Sequence, residues 1–265
     1  MPDFRTLLWT VLLLLVSASH SLAQQSPSPF QYIQGAIVRG DTSAKELALV
    51  FTGDEYADGG MHIVQVLEQQ GVKGSFFLTG KFYRNPDFKA ILDALVAGGH
   101  YLGAHSDQHL LYCDWGKRDS LLVSREEFRM DLENNYKAMK AFGVVTGNAP
   151  FFLPPYEWYN DSIAAWTTSM GLQLINFTHG TLSHADYTVP GSSGYRSTQE
   201  IYSSILDYET ARCSGLNGFI LLSHIGTEAK RSDKFYIRLG ELISELKSKG
   251  YSFLRVDKLL EETAN

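Results

Sequence analysis

The chain has only two cysteines and eight prolines among its 265 residues, and it contains no block of like charge. Two cysteines rule out a small disulfide-stapled scaffold, and Cys113 and Cys213 form no Cys-x-x-Cys metal motif. A single disulfide and two separate thiols both remain open. Cationic runs are missing, and the formal net charge is -6. Nucleic acid is therefore excluded as a main partner, because phosphate binding needs a concentrated basic face. The longest apolar run, Leu7 to Val16, falls short of the about 20 residues that span a bilayer. No stable membrane span is expected once this segment is removed. The bulk composition, 44% hydrophobic and 20% charged, is that of an ordinary globular protein.

The short apolar run has the marks of an export signal. Arg5 precedes it, and Ser21 and Ala23 stand three and one positions before a cut ahead of Gln24. A signal peptide over 1–23 is expected, with export to a periplasm or the extracellular space. No cysteine follows the run, so lipid attachment is not expected. A polar lead-in, 24–44, then precedes one domain over 45–262.

Within that domain apolar runs alternate with helical patterns. Strands are expected at Leu47–Phe51, Ser75–Thr79, His100–Ala104, Phe151–Leu153, Leu172–Phe177, Phe219–Ser223 and Ser252–Val256. Helices fit at Met61–Gln70, from Asn85-Pro86, at Ser124–Phe142, Asp161–Met170, Thr198–Thr210 and Asp233–Lys249. Ser124 and Glu127 have the spacing of a capping box. Repeated alternation implies parallel pairing through right-handed crossovers. The fold class is α/β, a distorted (β/α) barrel with about seven strands; a doubly wound sheet is the alternative. In both, ligands bind beyond the carboxyl ends of the strands.

Four polar clusters sit at those ends: Gly53-Asp54-Glu55, His105-Ser106-Asp107-Gln108-His109, Pro154-Pro155-Tyr156 and His224. Two histidines four apart and one carboxylate make a three-ligand set suited to Zn2+ or a similar divalent ion, leaving a coordination position open. A His-x-x-x-His pair alone also arises on solvated surfaces. The strand-end Asp54 and the distant His224 are what favour a site.

The order Asp, His-Ser-x-x-His, Pro-Pro-Tyr and an apolar strand ending in His resembles the polysaccharide deacetylases, carbohydrate esterase family 4, with the NodB-homology domain. Gly74-Ser75-Phe76-Phe77-Leu78-Thr79-Gly80 is similar to that family's second strand. The resemblance covers about Leu47 to Leu260. It implies Asp54, His105 and His109 as metal ligands, His224 as general acid, Pro155 and Tyr156 as groove wall, and Leu222 beside the acetyl methyl group. It also implies that the backbone N–H of Tyr156 holds the reaction oxyanion. The implied partner is an acetylated polysaccharide or oligosaccharide, deacetylated at nitrogen or oxygen.

Two positions depart from the family pattern together. The family's catalytic-base Asp is Gly53 here, and the Arg that pairs with it is Leu153. Losing both members of a buried ion pair is self-consistent, whereas losing one strands a charge. Glu55 is the first replacement base to consider and Glu157 the second; each is equally a solvated loop carboxylate. A catalytically silent protein that binds metal and carbohydrate is the alternative function. The family's acidic fourth motif has no clear counterpart; Asp186 lies near its expected place and is a candidate to orient His224, a distance the sequence does not give. His179 and His184 have no assigned role. Tyr156, Trp158 and Tyr159 either stack on sugars or pack against the barrel.

Overall fold

The computed structural model describes residues 28–261. The expected signal peptide, 1–23, lies outside them. A hairpin of β1 (Gln31–Ile33) and β2 (Ala36–Arg39) leads. Gln34 and Gly35 turn it with φ of 45° and 78°, the left-handed pair that a two-residue hairpin requires. β3 (Glu46–Gly53), α1 (Gly60–Gln69), β4 (Ser75–Leu78), α2 (Gly80–Arg84), α3 (Lys89–Ala97) and β5 (Tyr101–Ala104) follow. Then come α4 (Arg125–Lys140), β6 (Phe151–Phe152), α5 (Asp161–Ser169), β7 (Gln173–Leu174), α6 (Thr198–Ala211), β8 (Phe219–His224), α7 (Leu239–Ser248), β9 (Ser252–Phe253) and α8 (Val256–Leu259).

The strands run β1-β2-β8-β3-β4-β5-β6-β7, with β9 beside the start of β3. An isolated bridge from Ile37 to Ile175 links β2 to the chain leaving β7 and curls the sheet into the expected distorted barrel. All seven expected strands are present. β1 and β2 are additional, and both pair antiparallel, β2 with β8. Residues 31–39, placed by sequence in a lead-in before residue 45, therefore belong to the sheet. Expected strand 172–177 is cut to two residues because its later amides turn to other partners. Asn176 N donates to Ile37 O and Thr178 N to Ile220 O. Expected helix 233–249 is a 3₁₀ turn, Phe235–Arg238, followed by α7.

Strand β3 is buried along almost its whole length and packs at the centre of one contiguous core. Burying such aliphatic and aromatic side chains is the main stabilising term, about 1.5–3 kcal/mol each. Register then sets the site. Gly53 pairs with Leu78, Leu78 with Ala104, and Ala104 with Phe152, while Thr52 pairs with His224. The next residues along each strand, Asp54, Thr79, His105 and Leu153, consequently emerge in one row at one rim. Cys113 is buried and Cys213 exposed, both as free thiols. Among the described residues no helix is long and apolar enough to cross a membrane.

Candidate active site

A pocket of about 440 Å³ opens at that rim, in the size range of ligand sites. Asp54, Glu55, His105, His109, Tyr156, Glu157 and His224 all line it. Pro155 and Leu222 do not: Leu222 lies two residues below His224 on the same face of β8 and is fully buried.

The histidine loop is built by helix α4, which the Ser124–Glu127 capping box starts as expected. Asn135 of α4 accepts from His105 N at 2.8 Å and donates to Leu78 O at 3.1 Å, tying β4 to β5 at the rim. One turn earlier, the buried Asp131 accepts from Ser106 Oγ and Tyr112 Oη, each at 2.6 Å, and from the amides of Asp107 and Gln108. Four donors on one carboxylate fix the loop between the two histidines. Outside it, Arg84 grips Asp107 with two bonds, at 2.6 and 3.0 Å.

The imidazole of His105 bonds Leu153 O through Nδ1 at 2.8 Å, leaving Nε2 free. Burial, reinforced by His109, holds its pKa well below the usual value. Burial likewise lowers His109 to about 4, with Asp54 opposing the shift. Both rings are thus neutral at pH 7, the state in which imidazole ligates a metal. The Asp54 carboxylate accepts from Thr79 Oγ1 at 2.8 Å and from Lys81 Nζ at 3.0 Å, and its Oδ2 lies 3.9 Å from His109 Nδ1.

As placed, no three His, Cys, Asp or Glu side chains among the described residues lie at metal-binding spacing. Ligands at about 2.0 Å around a tetrahedral zinc ion stand about 3.3 Å apart, so Asp54 and His109 would need to close by roughly half an ångström. The donor types and protonation states fit a divalent ion.

Across the pocket His224 and Asp186 form a dyad. His224 Nδ1 and Asp186 Oδ1 are 2.6 Å apart, and Asp186 Oδ2 accepts from His224 N at 2.9 Å. Burial disfavours the charged imidazole, but the charge and hydrogen bond of Asp186, helped by Glu157, outweigh it and raise the pKa. Burial also pushes Glu157 up to about 7, against the attraction of His224. Glu55 is exposed at the rim, with no side-chain hydrogen bond.

Gly53 and Leu153 are both buried, and the space of the missing pair is filled. A Cβ on Gly53 would lie 2.5 Å from Ile225 Cγ2 and 2.9 Å from Leu78 Cδ2. Five non-glycine residues among those described have positive φ, and four sit here: Ser106, His109, Tyr156 and Glu157. Strain of roughly 1–3 kcal/mol each is characteristic of functional sites.

Sequence reasoning missed several residues. Thr52 Oγ1 is buried on the pocket wall with no partner. Lys81, Asp131, Trp115 and Tyr187 also carry no signal in the motif spacing. Tyr159 is core, buried with its hydroxyl on Ile33 O, and Trp158 is half-buried. His179 and His184 flank the ring of Phe177, and neither lines the pocket.

Comparison with known proteins converges on one group. The family model described as polysaccharide deacetylase matches residues 39–175, just over half of the chain. A peptidoglycan-N-acetylglucosamine deacetylase of Bacillus cereus is 22% identical over 237 residues, 88% of this chain and 76% of its own. A solved peptidoglycan N-acetylglucosamine deacetylase superposes with a TM-score of 0.67 at 19% identity, covering 85% of this chain and 92% of that one. A CE4 family pseudoenzyme from Bacillus anthracis gives 0.65 at 19% identity, over 87% and 70% of the two chains. At these identities the structural likenesses speak for the fold alone.

Proposed function

We propose, from the premise that this chain belongs to the polysaccharide deacetylase family, that it is an exported, metal-dependent hydrolase removing acetyl groups from a glycan. The observation that carries the proposal is the pocket itself. Two neutral histidines and a carboxylate stand on one side, and His224 on a buried Asp186 on the other. Asp54, His105 and His109 would hold the ion, most simply Zn2+. When bound, it supplies Lewis acidity toward the acetyl carbonyl and toward a water molecule.

The protein's own groups divide the proton work. Glu157, with a pKa near 7, is suited to take a proton from water at neutral pH. Its environment makes it the stronger base candidate, ahead of exposed Glu55. His224, held protonated by Asp186, gives a proton to the departing amine or alkoxide. Nδ1 is committed to Asp186, so Nε2 is the donor. The backbone N–H of Tyr156 is assigned to the developing oxyanion.

Acetate release from N-acetylglucosamine oligomers, peptidoglycan fragments and acetylated xylan tests the proposal. Release should require added zinc, cobalt or nickel, and should vanish with chelator or in His109→Ala. Release unchanged by both treatments would refute the metal-dependent reading. A second reading, a silent glycan-binding relative, draws on Ile225 filling the space beside Gly53. It predicts oligosaccharide binding without acetate under every metal.

A further inference from the structure

One polar group on the pocket wall has no task in the chemistry above. Thr52 lines the pocket and is 1% exposed, and its Oγ1 has no hydrogen-bond partner among the described residues. Buried hydroxyls are nearly always paired, because stripping water from an unpaired one is costly.

The sheet fixes where this hydroxyl stands. Thr52 is the next-to-last residue of β3, between two parallel strands. Its register partners are His224 on β8 and Phe77 on β4. Thr52 O accepts from Ile225 N at 2.9 Å, and the following carbonyl, Gly53 O, accepts from Thr79 N at 3.1 Å. The backbone is thus fastened on both sides. Side chains alternate along a strand, and register partners share a face. Thr52 therefore shares its face with Val50 one tier below, and with Leu222 and His224 of β8. Gly53 turns to the other face, against Ile225, Leu78 and Phe82.

Nothing in that tier calls for a hydroxyl. Val50, Leu222 and Phe77 are fully buried and offer no polar side-chain atom. A valine would fill the same space, since its β-branch suits a strand equally well. What threonine adds is one O–H on the pocket wall, beside His224 and two residues before Asp54. At 1% exposure it leaves room for a water-sized partner and not for a sugar ring.

We propose that Thr52 is a catalytic residue whose hydroxyl holds the attacking water beside His224. The inference rests on the hydrolase reading above and adds a water-binding group to it. Thr52 Oγ1 accepts one O–H of the water, which leaves the other O–H for the base. No bond to Thr52 forms or breaks: the hydroxyl fixes orientation, and the proton still goes to Glu157.

Thr52→Val and Thr52→Ser separate this role from a structural one. No protein group bonds the hydroxyl, so Thr52→Val should melt no lower than wild type by circular dichroism. In the zinc-loaded protein its kcat for acetate release should fall at least about tenfold, with KM within about twofold. Thr52→Ser keeps the hydroxyl and should retain most of kcat. High-resolution crystal structures should place a water within hydrogen-bond distance of Thr52 Oγ1 in the wild type and lose it in Thr52→Val. If Thr52→Val melts more than about 2 °C below wild type, the hydroxyl serves the fold and the proposal is overturned. Turnover of Thr52→Val at the wild-type rate, or a wild-type crystal with no water at Thr52, also overturns it and leaves the hydrolase reading intact. If the wild type releases no acetate with any metal, the hydrolase reading falls and takes the catalytic role of Thr52 with it.

Discussion

Gly53→Asp, which would restore the family's base, should destabilise the fold unless its neighbours change too. The new Cβ would meet Ile225 Cγ2 at 2.5 Å, Leu78 Cδ2 at 2.9 Å and Phe82 Cε2 at 3.2 Å, all from fully buried side chains. Ordinary carbon contacts are about 3.5–4.0 Å, so the worst overlap is about 1 Å. Overpacking of this kind costs about 1–3 kcal/mol. The carboxylate adds a charge in an apolar wall, with Leu153 where an arginine would pair with it, costing about 3 kcal/mol more unless it stays protonated. The sum, about 4–6 kcal/mol, corresponds to a fall in Tm of roughly 8–24 °C for a domain of this size. Thermal melts followed by circular dichroism provide the assay. Adding Ile225→Ala removes the clashing methyl, and adding Leu153→Arg supplies the counter-charge. The triple variant should therefore melt at least about 5 °C above Gly53→Asp alone. If Gly53→Asp melts within 2 °C of wild type, or if the three changes are simply additive, the packing argument is wrong.

Three further outcomes follow from the polar framework. Asp131→Asn turns an amide donor toward a site whose four neighbours all donate. Stability should fall by about 2–4 kcal/mol in urea, and zinc affinity measured by calorimetry at least tenfold; unchanged zinc affinity would show that Asp131 does not position the histidine loop. In the pH profile of kcat/KM, the acidic limb should lie near pH 7, where Glu157 loses its proton, and disappear in Glu157→Gln. The alkaline limb tracks loss of the His224 imidazolium proton. Asp186→Asn removes the anion that raises that pKa, so the limb should move to lower pH and activity should drop about 100-fold; an unmoved limb would dissociate His224 from it.

The parallel core of the fold was legible because its strands are continuous apolar runs separated by helices with clear caps, such as Ser124 and Asn85. β1 was not, because all three of its residues are exposed and carry no apolar period. α2 was missed because five residues hold too little of a helical repeat, and its start depends on the Thr79 side chain. The rim residues were legible because strand ends in a parallel sheet converge. What depends on loops could not be seen. Asp186 reaches His224 across 38 positions only through the 3₁₀ turn Ser183–Tyr187, and Trp115 reaches the pocket only through the turn that Trp158 Nε1 ties down at Asp114 O.

The close packing around Gly53 also bears on the routes open to mutation. A carboxylate at 53 needs room at 225 and a cation at 153, and an arginine at 153 is equally stranded without its acid. Each single step toward the family's pair crosses a less stable intermediate, while Ile225→Ala alone only opens a cavity. Drift back is therefore uphill whichever change comes first. With Ile225 packed over position 53, the proposed hydrolysis has to take its base from another pocket carboxylate, and Glu157 is the buried one.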